Sequence, residues 1–101
     1  PFFDKKAKRL SKKYKSLRNE LNNLYDDLKS NPTLGIPLGK NCYKIRLSIE
    51  SKGKGKSGGA RIITYVYYTR EVVYLLTIFD KSDMEDISSI DLERLIGELE
   101  E

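Results

Sequence analysis

Cationic side chains on two predicted strands are the residues of this sequence best suited to chemistry. Lys44 and Arg46 lie two positions apart in a segment whose apolar residues alternate over residues 43–49, so a strand would place both cations on its polar face. Arg61 opens the next strand-like segment, and a hairpin between the two would bring it across from the region of Glu50. Lysine as a point charge and arginine as a bidentate donor both bind phosphate, so the pattern indicates a polyanionic ligand.

A basic, glycine-rich segment, residues 51–59, separates these two strands and is predicted to be a flexible loop. Its lysines are Lys52, Lys54 and Lys56. Cations above a cationic sheet face suit a nucleic-acid backbone, whereas the plainer alternative is a solvated hairpin loop. The segment does not fit a nucleotide-binding P-loop, because no glycine stands five residues before Gly55 and a strand, not a helix, follows.

Histidine is absent from the sequence, and Cys42 is its one cysteine. A histidine-based catalytic triad or acid–base pair is therefore excluded, and a zinc site is not expected. We interpret Cys42 as a small buried residue, because no histidine could activate it as a nucleophile. The acids near the end of the last predicted strand are interpreted as helix-start caps in preference to metal ligands: Asp80, Asp83, Glu85 and Asp86. No metal or cofactor is predicted.

Charge is unevenly distributed along the chain, whose formal net charge is +4. Lysine and arginine dominate residues 1–18 and 40–61, whereas acids dominate residues 80–101, which suggests a polyanionic partner. No apolar run approaches the ~20 residues needed to span a bilayer. The first turns are interrupted by charges, unlike a signal peptide, and a lone cysteine fits a reducing compartment. We therefore expect a cytoplasmic protein with no membrane partner.

Helical periodicity precedes the strands. Between Phe2 and Ser30 there is no glycine or proline, and apolar residues recur at steps of three and four. The pattern permits one long helix or two, and the short chain favours two helices broken near Lys15–Ser16, with Ser16 as a possible N-cap. Residues 31–41 contain two prolines and two glycines and are predicted to be a connector.

Two further strands and a helix complete the predicted order. Arg61–Tyr68 and Val72–Phe79 carry apolar residues on both faces, which is typical of central strands. Capping-box spacing joins Ser82 to Glu85 and Ser88 to Asp91. The apolar face of the last helix would comprise Leu92, Leu95, Ile96 and Leu99. The chain is thus predicted to be one α+β domain over residues 1–101, with two N-terminal helices packed on a small antiparallel sheet and a C-terminal helix.

Four segments carry a resemblance to a known family. They are Asn31-Pro through Pro37-Leu-Gly39, Asn41-Cys-Tyr-Lys-Ile-Arg-Leu47, Ser57-Gly-Gly-Ala-Arg-Ile-Ile63 and Val73-Tyr-Leu-Leu-Thr-Ile-Phe-Asp-Lys-Ser82. In this order and spacing they resemble the RelE/HigB toxins of bacterial toxin–antitoxin systems, and most of all the HigB-like branch of the RelE/ParE superfamily. The resemblance covers nearly the whole chain.

The resemblance implies a RelE-like fold and an activity. The family's first strand would precede Pro1, so we expect that strand to be missing from this sequence. The implied activity is ribosome-dependent cleavage of messenger RNA, in which a ribose 2′-hydroxyl attacks its adjacent phosphate without a metal. The implied partners are the ribosome, its messenger RNA and a cognate antitoxin protein, which would cover the basic site or displace the C-terminal helix.

Residue roles follow from the matched motifs. The resemblance assigns Arg46 and Arg61 to phosphate stabilisation and Lys81 to protonation of the leaving oxygen. Lys44 is the candidate base, since neighbouring cations would lower its pKa. RNA binding is assigned to Lys52, Lys54 and Lys56. Where relatives carry a C-terminal tyrosine, this chain has Ile87.

Two other functions stay open on the sequence. One is a ParE-like toxin, which poisons DNA gyrase by binding, and the basic loop and the three sheet cations argue against it. The other is a non-catalytic RNA-binding module, for which the basic charge and the tyrosines suffice.

Overall fold

The computed structural model of the protein describes residues 2–52, 58–84 and 86–99. Within them the elements follow in this order: α1 (Phe2–Lys13), α2 (Leu17–Ser30), β1 (Ile36–Gly39), β2 (Cys42–Leu47), β3 (Ala60–Tyr67), β4 (Val72–Asp80) and α3 (Ser89–Leu99). The strands form one antiparallel sheet, which confirms the predicted α+β class. Among these described residues, no helix combines the length and the apolar character needed to cross a membrane.

The predicted break between the first two helices is confirmed. α1 ends at Lys13 and α2 begins at Leu17, whose amide donates to the carbonyl of Tyr14 at 3.1 Å. Ser16 precedes α2 but makes no side-chain cap, so that detail of the prediction was wrong. The Ser16 hydroxyl instead accepts the amide of Ser51 at 2.9 Å and lies 3.1 Å from a carboxylate oxygen of Glu20.

The sheet has the order β1-β2-β3-β4, and two of its strands differ from the prediction. β1 lies in the segment expected to be a connector, where Gly35 adopts φ +109° and approaches the Lys44 carbonyl so closely that a Cβ would lie 2.6 Å from that oxygen. β4 was predicted to be a central strand because it carries apolar residues on both faces, but it lies at an edge of the described sheet. The apolar residues of its second half are nevertheless buried on both faces, because helices cover each side.

Two apolar layers lie on opposite faces of the sheet. On the first face, which packs against α1 and α2, the buried strand residues include Ile45, Ile62 and Ile78. On the second, which packs against Leu92 of α3, they include Cys42, Ile63 and Phe79. We call these the α1/α2 face and the α3 face. Burial of one such isoleucine contributes about 1.5–3 kcal/mol, so the strand alternation is strongly fixed.

The register of β2 and β3 differs from the one expected. Arg46 is the partner of Arg61, and Leu47 is the partner of Ala60, so Arg61 does not lie across from Glu50. Glu50 has left the ladder and begins a 3-10 turn. At the end of the ladder a Cβ on Gly59 would lie 2.0 Å from the carbonyl oxygen of Leu47, so only glycine permits this approach.

The segment before α3 confirms one predicted cap and contradicts another. The Ser88 hydroxyl accepts the amide of Asp91 at 3.1 Å, as the capping spacing predicts. Ser82 does not begin a helix, because its amide and its hydroxyl both donate to Asp80 and close a turn over residues 81–83. Glu85, the other half of that predicted capping box, lies outside the described residues.

Candidate phosphate-binding face

The three cations predicted from the sequence lie on one face of the sheet. Arg46 and Arg61 are direct cross-strand partners, and Lys44 is the partner of Ile63 on the same side. This is the α3 face, because the strand alternation places Lys44 and Arg46 with Cys42, and Arg61 with Ile63. We call Lys44, Arg46 and Arg61 the cation face. Folding therefore brings together side chains that are separated by up to seventeen positions in the sequence.

Arg61 is the most deeply placed member of the cation face. Arg61 is 4 % exposed, and its Nη1 donates to the carbonyl of Ala60 at 3.1 Å. Burial lowers the pKa of Arg61, the positive charge of Arg46 lowers it further, and the carboxylate of Asp86 opposes both effects. Because arginine is the most basic side chain in proteins, the guanidinium remains charged at neutral pH. A buried, charged donor next to a second arginine is a strong site for an anion.

Asp86 is a residue of the candidate site that the sequence interpretation did not place there. The Lys44 Nζ lies 3.1 Å from Asp86 Oδ2, and the Lys44 side chain is 15 % exposed. The amide of Ile87 donates to Asp86 Oδ1 at 2.8 Å. This backbone hydrogen bond, followed by the contact with Lys44, lowers the pKa of Asp86. Asp86 is therefore a carboxylate placed against the cation face, and its interpretation as a helix-start cap was wrong.

Lys81 lies beside the cation face at the end of β4. Its amide donates to the carbonyl of Gly59 at 3.0 Å, which continues the β3–β4 ladder by one residue. The strand alternation then places Lys81 on the same face as Phe79 and Arg61, and its side chain is half-buried. Asp80, one residue earlier, points to the other face.

Asp80 fixes the chain at the point where Lys81 leaves the sheet. Its carboxylate is almost fully buried and accepts the hydroxyl of Tyr14 at 2.6 Å. It also accepts the amide and the hydroxyl of Ser82 at 3.0 and 2.8 Å. Because a buried carboxylate is costly without such donors, these bonds hold the strand end in one conformation. The prediction that Asp80 caps a helix was therefore wrong, because its carboxylate closes a turn that positions Lys81.

The structure describes only part of the basic loop that carries Lys52, Lys54 and Lys56. Lys54 and Lys56 lie outside the described residues, and Lys52 is described by its backbone position at the end of a 3-10 turn. The loop departs from Ser51, whose hydroxyl lies 2.9 Å from that of Ser16. The RNA-binding role of these lysines stays a prediction.

Cys42 and the tyrosines near the far end of β3 are not assigned a role in the predicted chemistry. Cys42 is 1 % exposed, and burial raises the pKa of its thiol to about 11, which agrees with its interpretation as a small buried residue. At the far end of β3 from Arg61, a cavity of about 450 Å³ is lined by Tyr65, Tyr67, Arg70, Tyr74, Ile96 and Leu99. The cavity lining contains no member of the cation face.

No protein-family model matches the sequence. Within residues 2–52, 58–84 and 86–99, no three acidic or cysteine side chains are grouped so that they could hold a metal ion.

Proposed function

We propose that this chain is a RelE/HigB-like toxin, a ribosome-dependent endoribonuclease that cuts messenger RNA at the cation face. The observation that carries the proposal is the direct cross-strand pairing of Arg46 with Arg61, with Lys44 on the same side. Like charges directly opposite one another destabilise a sheet. A bound phosphate would neutralise this repulsion and accept hydrogen bonds from both guanidinium groups.

The proposed reaction uses the RNA as its own nucleophile. The ribose 2′-hydroxyl attacks the adjacent phosphorus, the bond to the 5′-oxygen of the next nucleotide breaks, and a 2′,3′-cyclic phosphate and a 5′-hydroxyl remain. Arg46 and Arg61 hold the phosphate in line and stabilise its additional negative charge in the transition state. Lys81 supplies the proton to the leaving 5′-oxygen.

The position of Asp86 places a condition on the role of Lys44. An ammonium group that donates to a carboxylate has no lone pair with which to accept the 2′-hydroxyl proton. Lys44 can act as the base only after the segment that carries Asp86 withdraws and its ammonium group releases one proton to solvent, which leaves a neutral amine to accept the 2′-hydroxyl proton while Arg46 and Arg61 bind the phosphate. The same displacement would remove the carboxylate charge that acts on Arg61. We therefore include the exchange of Asp86 for RNA phosphate as the first step of the proposed reaction.

Primer extension on messenger RNA incubated with the purified protein, with and without ribosomes, tests the proposal. The expected result is a set of cuts in phase with codons that requires ribosomes. Arg46→Ala, at an exposed position, and Arg61→Ala should each abolish the cuts. Arg70→Ala is the control, because Arg70 lies at the opposite end of β3, over the ring of Tyr67.

Three outcomes would contradict the proposal. RNA binding without cleavage would favour a non-catalytic RNA-binding module. Double-strand breaks trapped on DNA gyrase would favour a ParE-like toxin. Codon-phased cuts that persist in both Arg46→Ala and Arg61→Ala, with folding confirmed by circular dichroism, would move the active site away from the cation face.

A further inference from the structure

A second cationic surface lies on the first two helices. It is a shallow groove of about 350 Å³ lined by Lys8, Ser11, Lys12, Lys15 and Arg18, which we call the α1 groove. Its four cations are all exposed. In the part of the chain that the structure describes, none of the four forms an ion pair with an acid. Four uncompensated charges therefore share one concave surface.

Helix electrostatics does not account for this arrangement. Cations at the last turn of α1, such as Lys12, are favoured by the helix dipole, but Lys8 lies a turn earlier. Arg18 lies in the first turn of α2, where the dipole disfavours a cation. The acid nearest to it on α2, Glu20, is bound elsewhere, since its two carboxylate oxygens contact the Ser16 hydroxyl and the amide of Glu50 at 3.1 and 2.6 Å.

The α1 groove is separated from the cation face by the sheet. α1 packs through Phe3 and Ala7 on the α1/α2 face, whereas Lys44 and Arg61 belong to the α3 face. One phosphate group cannot contact both surfaces. A ligand that uses both must be long enough to pass around the sheet, or two separate strands must bind at once.

We propose that the α1 groove is a second RNA-binding site, which takes consecutive backbone phosphates of a strand other than the one held at the cation face. The identification of the polyanion as RNA rests on the proposed function. The geometry of the groove supports this occupant, because Lys8 and Lys12 lie one turn apart on α1 and Lys15 follows in the turn before α2, beside the same groove. Such a stripe of cations matches a chain of regularly spaced phosphates.

The apolar residues of α1 argue against a membrane or a protein as occupant. A helix that lies on a bilayer buries an apolar face in the lipid, but Phe3 and Ala7 are buried in the core. A protein interface is built around buried apolar or aromatic side chains. The large apolar side chains that are exposed among the described residues lie outside α1 and α2: Ile36, Tyr67, Tyr68, Val72, Met84, Ile90 and Leu99.

The test is the salt dependence of binding to a fluorescein-labelled 2′-O-methyl RNA oligonucleotide, which cannot be cleaved. Each phosphate contact on a single strand contributes about 0.7 to the slope of log affinity against log salt. The triple variant Lys8→Gln/Lys12→Gln/Lys15→Gln should lower the magnitude of this slope by roughly two. The control triple variant is Lys29→Gln/Lys40→Gln/Arg94→Gln, which changes the formal net charge equally, from +4 to +1, at cations paired with acids. It should leave the slope nearly unchanged.

A separate titration counts the sites. An oligonucleotide too short to pass around the sheet should bind wild type with two equivalents in isothermal titration calorimetry and the α1-groove variant with one. Equal slopes in the two triple variants, or one equivalent in wild type, would overturn the second site. Binding to phosphatidylserine vesicles that is as tight as RNA binding and depends on the same three lysines would overturn RNA as the occupant.

These outcomes are independent of catalysis. If primer extension shows no cleavage while the α1-groove variant loses salt dependence, the proposed function fails and the second site stands. If cleavage is found and the two triple variants bind alike, the second site fails alone.

Discussion

Arg46 and Arg61 are direct partners across the β2–β3 ladder, so two guanidinium groups point from the same face of the sheet. Arg46 is exposed, whereas Arg61 is 4 % exposed and its pKa is lowered first by burial and then by Arg46. Asp86 places a carboxylate oxygen 3.1 Å from the Lys44 ammonium on the same face. A sheet selected only for stability would not pair two arginines in this way. The pairing is the basis for our proposal that this surface binds an anionic ligand.

Charge reversal at Arg46 should separate stability from function. Arg46→Glu replaces a repulsive cross-strand pair by an attractive one, so the free energy of unfolding should rise by about 1 kcal/mol. RNA affinity should fall roughly ten-fold, because a donor becomes a repulsive charge. Urea denaturation and fluorescence anisotropy measure the two effects. Arg46→Gln should lie between wild type and Arg46→Glu in both, and a glutamate variant less stable than the glutamine variant would contradict the pairing.

Removing the charge of Asp86 should tighten RNA binding. Asp86→Asn keeps the shape of the side chain but no longer competes with phosphate for Lys44. Since an ion pair near the surface contributes about 0.2–1 kcal/mol, affinity should rise by a factor between about 1.4 and 5. Asp83→Asn is a charge-matched control at an exposed acid of the same segment. An affinity gain of the same size in both variants would show a general charge effect and exclude displacement of Asp86.

A methyl group at Gly59 should disrupt the cation face from within. Its Cβ would lie 2.0 Å from the Leu47 carbonyl oxygen, so β2 and β3 must separate near the Arg46–Arg61 pair. Gly59→Ala should lower the free energy of unfolding by about 2–4 kcal/mol. Gly97→Ala is the matched control, because a Cβ there meets no atom within 4 Å. Since Gly97 lies inside α3, alanine should stabilise by about 0.5–1 kcal/mol. Equal effects of the two substitutions would contradict this close approach.

Much of the fold could be predicted from periodicity, and the exceptions have physical causes. The helix pair, β2 and α3 each have one clear apolar period, and each was found where predicted. β1 was missed because prolines and glycines, which usually mark connectors, here occupy a short edge strand with a bulge between Pro37 and Gly39. β4 was placed centrally because it is apolar on both faces, but this composition reflects helices on both sides and not a strand on each side.

The Cys42 thiol should be unreactive and should make the fold sensitive to alkali. Burial raises its pKa from 9.0 to about 11, so the folded chain keeps a proton that the unfolded chain loses. The free energy of unfolding keeps the full contribution of the protonated thiol below pH 9 and loses it as the pH rises towards about 11. Thiol titration with a disulfide reagent should be slow in the native protein and fast in urea. Rapid native labelling, or the same alkaline loss of stability in Cys42→Ala, would contradict the interpretation.

The candidate site was predictable in part. Spacing alone placed Lys44 and Arg46 on one face. The cross-strand partner of Arg61 could not be predicted in this way, because it depends on where β2 ends and the loop begins. Glu50 belongs to the loop and not to β2, so Arg61 pairs with Arg46. Asp86 could not be assigned from sequence, because it stands among several acids and its contact with Lys44 spans 42 positions. The available signal was electrostatic, since a cluster of cations on a half-buried face requires a nearby anion.

The most direct test of the central claim is an NMR titration of the arginine side-chain Nε–H signals with a non-cleavable 2′-O-methyl RNA trinucleotide. The signals can be assigned from single Arg→Lys variants. We expect the signals of Arg61 and Arg46 to shift together and to saturate at one RNA concentration, while the signals of Arg70 and Arg94 stay unchanged. Unshifted Arg46 and Arg61 signals in the presence of bound RNA would show that the phosphate is held elsewhere and would contradict the account.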